Sequence, residues 1–136
     1  MNDGLCADFT DKEIADALFQ IGPVKASGPD GFPAQLFQRN WVVLKEEIIQ
    51  GVIIFFAKVE MPEGVNVTTI VLIPKTNDPW CIKDYRPISL CNVLYKIISK
   101  VLFNRLRPFL DELISETQSD FIPVRMITDN AIIAFE

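Results

Sequence analysis

Histidine does not occur anywhere in these 136 residues. Its absence removes imidazole as a general base. With only three cysteines, at positions 6, 81 and 91 and never as a Cys-x-x-Cys unit, it also removes the usual zinc-finger and zinc-knuckle ligand sets. An odd number of widely spaced thiols gives no disulfide framework, and no charged-then-apolar leader opens the chain. Both point to a reducing, intracellular setting, nuclear or cytoplasmic and not secreted, in which the cysteines act as small hydrophobes. Long hydrophobic runs are missing too. The longest, Ile48 to Ala57, is interrupted by Gln50 and Gly51 and is about half of what spans a bilayer, so no membrane segment is expected.

What is present is a 49% hydrophobic chain, enough for one modest core and at most one domain of ordinary size. The net charge of -5 argues against a free-standing nucleic-acid binder, but the charges are segregated. Residues 1 to 74 carry five basic and ten acidic side chains, residues 75 to 107 carry seven and two, and residues 108 to 136 carry one and six. The basic middle can present a positive face to phosphates, and the alternative for any such run is a solvated face.

Thr10-Asp11-Lys12-Glu13 has capping-box spacing. Ile14, Leu18 and Ile21 follow at helical intervals until Gly22-Pro23, which predicts a short helix. Ser27-Gly28-Pro29-Asp30-Gly31 is glycine-rich but lacks the Gly-Lys-Ser/Thr of a P-loop, so it reads as a tight turn. From Ala34 to Val59 the apolar residues Phe37, Trp41, Leu44, Ile48, Val52 and Phe56 recur every three or four positions. That spacing predicts one long amphipathic helix with an aromatic stripe in the core and Gly51 as the expected place for a bend.

Val67 to Ile73 is almost wholly β-branched or apolar and reads as a well-buried strand ended by Pro74. Asn77, Asp78 and Pro79 supply turn chemistry, and Tyr85 opens a second extended segment stopped by Pro87. The whole predicts a hairpin with Lys75 and Arg86 at its mouth. Two permanent cations across a short turn suit a triphosphate, the alternative being ordinary exposed charges. A second long helix is expected from about Asn92. Val93, Leu94, Ile97, Ile98, Val101, Leu102, Leu106, Phe109 and Leu110 give it an apolar face. Lys96, Lys100, Asn104 and Arg107 line up at i, i+4, i+8 and i+11 on another, and Pro108 bends or restarts the helix. A cationic stripe beside a basic hairpin is what a nucleic-acid channel would use, and a solvated face is again the alternative. Thr128 can cap a last helix carrying Ala131, Ile132, Ile133 and Phe135.

Lys25 to Pro33, Ile73-Pro74-Lys75, Asp84-Tyr85-Arg86-Pro87-Ile88-Ser89-Leu90 and its continuation to Lys100 stand in the order found in reverse transcriptases of LINE-type, non-LTR retroelements. The chain resembles that family, especially its plant members, from about Asp11 to Glu136. The resemblance takes in Met61-Pro62-Glu63-Gly64, Ile114 to Ser119 and Ile127-Thr128-Asp129-Asn130 as well. It implies an α+β fold: the fingers and adjoining helices of a right-hand polymerase, with the catalytic part of the palm missing. All of 1–136 would be a single partial reverse transcriptase domain, with a helical N-terminal extension over about 1–64, the fingers hairpin over about 65–90 and helices leading to the palm over about 91–136.

The resemblance further implies a fragment of an RNA-directed DNA polymerase, a nucleotidyltransferase working with Mg2+, dNTPs, an RNA template and a DNA primer. Lys75 and Arg86 would bind the dNTP phosphates, and Lys96, Lys100, Arg107 and Arg125 the nucleic acid. The family's metal-binding aspartates belong to palm segments that this chain does not contain. Asp111, Glu112, Asp120 and Asp129 form no Asp-Asp turn between apolar strands, so no catalytic or metal-binding residue is assigned and the fragment alone is expected to be inactive. Where the family commonly reads Phe-x-Pro-Gly-Arg, this chain has Phe121-Ile122-Pro123-Val124-Arg125. If that glycine needs a positive φ, Val124 would strain the turn, which leaves Arg125 the weakest assignment and fits a decayed copy. The alternatives are a catalytically dead RNA- or DNA-binding module and a nonfunctional retroelement relic.

Overall fold

Thr10 starts the first helix as its spacing predicts. The computed structural model describes residues 5, 7–58 and 60–110. In it α1 runs Asp11–Gln20: the Thr10 hydroxyl accepts from the Glu13 amide at 3.3 Å, and the Glu13 carboxylate accepts from the Thr10 amide at 2.9 Å. Such a cap is worth about 1 kcal/mol. α1 buries Ile14, Ala17 and Leu18. Gln38 then ties its C-terminal end down, donating to the carbonyls of Ile21 (2.8 Å) and of Leu18 (3.0 Å), the latter also accepting the Ile21 amide at 3.1 Å.

The single long helix expected over 34–59 is two. α2 (Ala34–Arg39) stops at Asn40, whose φ and ψ of -103° and 21° leave the helical region, and α3 (Trp41–Lys58) follows at once. Asn40 serves both ends. Its side-chain amide donates to the Leu36 carbonyl at 2.8 Å, and its own carbonyl accepts from Val43 and Leu44. Gly51, the expected bend, lies inside a continuous α3.

β1 (Thr68–Pro74) and β2 (Tyr85–Cys91) pair antiparallel, Thr68 opposite Cys91 and Pro74 opposite Tyr85. Pro87 does not stop β2, and the register explains why. The Lys75 amide donates to the Asp84 carbonyl at 2.7 Å, so the hydrogen-bonded pairs, which alternate, fall at Ile73–Arg86, Val71–Ile88 and Thr69–Leu90. Pro74 and Pro87 occupy the other positions, where the backbone nitrogen faces away from the partner strand and a missing N–H removes no ladder bond. Both prolines thereby blunt the outer edges of the ribbon.

The expectation that β1 is well buried does not hold. Six of its seven residues are exposed, because the sheet is two-stranded and no third strand joins it among the described residues.

The chain divides into two units, residues 9–101 and residues 1–8 with 102–136. In the first, Ile14 and Leu18 of α1, Val52 of α3 and Val93, Ile97 and Val101 of the next helix are completely buried side chains of one core, each worth about 1.5–3 kcal/mol. Phe37, Trp41 and Phe56 pack against that core, as the aromatic stripe predicts. That next helix, α4, spans Val93–Leu106 and tightens into a 3₁₀ turn at Arg107–Phe109, where Pro108 falls. In the second unit, the Arg105 guanidinium donates to the backbone carbonyls of Leu5, Ala7 and Asp8. Thr128 and the helix expected there, like Arg125, lie outside the described residues. Among the described residues no helix is long and apolar enough to cross a membrane.

Candidate functional site

Side chains alternate across a strand, so the register that places Arg86 opposite Ile73 puts Lys75, two residues on, on the same face as Arg86. Val71, Ile73, Ile88 and Leu90 share that face. The two cations are diagonal neighbours, a spacing that long side chains span readily. Both are exposed. Arg86 makes no hydrogen bond or ion pair with the described residues, whereas Lys75 folds back and donates from Nζ to the Lys83 carbonyl at 2.7 Å.

The loop between the strands is held by carboxylates. Asp84, directly across from Lys75, accepts through Oδ2 from the amides of Trp80 (2.9 Å) and Cys81 (3.0 Å) and from the Cys81 thiol (3.4 Å). Those donors, the Cys81 amide first, hold the Asp84 carboxyl below the usual carboxylate range, with a smaller contribution from the Lys75 charge. Asp78 accepts from the Trp80 indole at 3.2 Å. Cys81, expected as a small hydrophobe, is an exposed thiol that donates within this network. Cys91 accepts instead from the Thr68 hydroxyl at 3.6 Å.

At the other end of β2, one residue joins three segments. Asn92 accepts through Oδ1 from the Asp30 amide at 3.4 Å and donates from Nδ2 to the Gly64 carbonyl at 3.1 Å. Its own carbonyl accepts the Lys96 amide at 3.2 Å, the first bond of α4. Gly28 lies so close that a Cβ there would meet the Asn92 side chain and amide and come within 2.6 Å of the Cys91 carbonyl carbon. Gly31 and Gly64 have φ of 76° and 81°, where glycine is favoured. The glycine-rich loop, the Met61–Gly64 turn and the β2–α4 corner therefore meet at Asn92. Sequence reasoning misses this role. Its one signal is an asparagine between strand and helix, which by itself suggests only a cap.

Of the other assigned cations, Lys96 donates from Nζ to the Ala26 carbonyl at 2.7 Å, so it also holds the glycine-rich loop. Lys100 is half-buried on α4, and Arg107 is exposed in the 3₁₀ turn beyond it. The magnesium that the resemblance implies finds no fitting ligand set: no group of three Cys, Asp or Glu side chains able to hold a metal ion occurs among the described residues.

Residues 73–135 match the reverse transcriptase (RNA-dependent DNA polymerase) family. That stretch takes in Lys75, Arg86, Lys96, Lys100, Arg107 and Arg125, and it begins as β1 ends. An uncharacterized 149 kDa protein of transposon TX1 from Xenopus laevis is 34% identical over 121 residues, which is 89% of this chain and 9% of that protein. The chain spans about a tenth of the length of this relative. The plant affinity expected from the motifs gains no support from a frog relative. The chain thus carries, from Ile73 onward, a match to part of a reverse transcriptase domain, and it is related over most of its length to a transposon protein.

Proposed function

We propose that this chain is the fingers-bearing segment of an RNA-directed DNA polymerase of a LINE-type, non-LTR element. In this reading the hairpin binds the phosphates of the incoming dNTP through Lys75 and Arg86. The observation that carries it is the register: two cations share one exposed face of a hairpin, inside the stretch that matches the reverse transcriptase family. Arg86, without a partner among the described residues, is the better placed of the two. A guanidinium gives paired, charge-assisted hydrogen bonds to phosphate oxygens. Lys75 must first release the Lys83 carbonyl.

Template and primer binding is assigned to Lys100 and Arg107, and to Lys96 alongside its hold on Ala26. Arg125 is the remaining member of that set. Phosphate contacts of this kind supply affinity without sequence preference. Magnesium belongs to the complete enzyme, and no polymerisation is assigned to these residues by themselves.

Primer extension tests the reading in two arms. The segment alone is expected to incorporate nothing. In a complete polymerase carrying it, Arg86→Ala is expected to raise the KM for dNTP and lower kcat, together a loss of about 2–4 kcal/mol in kcat/KM, with primer-template affinity unchanged. Unaltered dNTP kinetics beside weakened template binding would move Arg86 out of the nucleotide site.

A further inference from the structure

Trp80 is 87% exposed at the hairpin tip, yet it is not loose. Its backbone amide is bonded to Asp84 and its indole nitrogen to Asp78, so both ends of the residue are fixed and its one polar side-chain atom already has a partner. What remains available is the flat face of the ring. The contrast with the other tryptophan is direct. Trp41 is half-buried, packs against the core and meets Phe19 edge-on at 6.1 Å. Exposed tryptophan forgoes the large burial that makes the residue useful. Holding one in water by two hydrogen bonds readies a surface whose ordering cost is already met.

The charges around it choose the ligand. Asp78 and Asp84 each accept from N–H groups of Trp80, and Asp84 accepts from Cys81 as well. Lys83 has an exposed side chain that pairs with nothing among the described residues, and it is not one of the cations assigned to the dNTP. Both carboxylates stay ionised but are turned inward on those donors, and Lys75, Lys83 and Arg86 against Asp78 and Asp84 leave the tip one net positive charge. A π-face beside cations is how single-stranded nucleic acid is held, bases on the ring and phosphates on the charges.

We propose that Trp80 is a stacking platform for an unpaired nucleobase of single-stranded nucleic acid, a contact separate from the dNTP phosphates assigned to Lys75 and Arg86. The choice of nucleic acid as ligand rests on the proposed function, and the stacking role rests on the pinned, exposed ring.

The test is binding of a short labelled oligothymidylate and of an abasic strand of equal length, to the wild-type chain and to Trp80→Ala, Trp80→Phe and Arg86→Ala. Trp80→Ala is expected to weaken oligothymidylate binding roughly 5- to 150-fold, the range for one stacked base, and to leave the abasic strand unaffected. Trp80→Phe, which keeps a π-face but loses the bond to Asp78, recovers most of the loss. A purely structural role for the indole N–H predicts no recovery. Arg86→Ala leaves the ratio between the two strands unchanged, so a failure of the phosphate assignment is told apart from a failure of stacking. Equal binding of both strands by the wild type, or no binding of either, would overturn the proposal. So would self-association that Trp80→Ala abolishes while strand binding stays the same, which would make the ring a protein contact.

Discussion

Replacing Gly28 by alanine should be the most damaging single-methyl change in the described part of the chain. The added Cβ would sit 2.6 Å from the Cys91 carbonyl carbon and closer still to the Asn92 amide and side-chain oxygen. Two of these three neighbours are backbone, and they stand at the corner where β2 turns into α4, so neither can rotate away. Relief requires the glycine-rich loop to move off the corner. Overpacking of this kind costs about 1–3 kcal/mol. The movement also breaks the Asp30–Asn92 bond and strains the Asn92–Gly64 and Lys96–Ala26 bonds, each worth about 0.5–1.5 kcal/mol. A total of about 2–4 kcal/mol follows, which for a unit of this size lowers Tm by roughly 10 °C or more.

Gly31→Ala is the control. Nothing lies within 4 Å of its Cβ position, and only its φ of 76° opposes the change, at about 1 kcal/mol. Urea denaturation followed by circular dichroism measures both variants. A Gly28→Ala protein within about 0.5 kcal/mol of wild type, or one more stable than Gly31→Ala, would refute the close approach at this corner.

The features legible in the sequence are those fixed by local chemistry. Thr10 and Glu13 specify a helix start within four residues, and that start is present. Pro74 and Tyr85 bound the hairpin where the turn residues put them. The misses share a physical cause, dependence on something distant. Whether a proline ends a strand depends on which way its nitrogen faces, which is set by the pairing register and not by Pro87 itself. Asn40 divides a helix because its side chain and its carbonyl find partners on both sides, while the apolar period runs through it unbroken. The composition of β1 suits a strand covered on both faces, but composition does not say what lies above it. For the candidate site, Lys75 and Arg86 could be chosen from a hairpin pattern. Asn92 and Gly28 could not, because their importance comes from contacts spanning the glycine-rich loop, the Gly64 turn and the β2–α4 corner.

Two further outcomes follow from the charges. Changing Lys100 and Arg107 to glutamine should flatten the salt dependence of single-strand binding by up to about 1.4 in the log–log slope, roughly 0.7 for each phosphate no longer neutralised. An unchanged slope, with the circular dichroism intact, would assign both to solvent. The last concerns Asp84. Its carboxylate is the favoured form in the folded hairpin because the amides of Cys81 and Trp80 point at it, so its folded pKa lies below the ordinary carboxylate value, which is about 3.9. A group whose pKa is depressed on folding contributes stability above its unfolded value and loses it as the pH falls through the folded one. The tip should therefore keep its order at neutral pH and down to about pH 4, and lose it only in stronger acid. The Trp80 and Cys81 amide resonances, followed by NMR through an acid titration, should move together with a midpoint below the ordinary value and should lose that transition in Asp84→Asn. A midpoint at or above the ordinary value would mean that these amides do not hold the carboxylate, and the pinning of Trp80 would then rest on Asp78 alone.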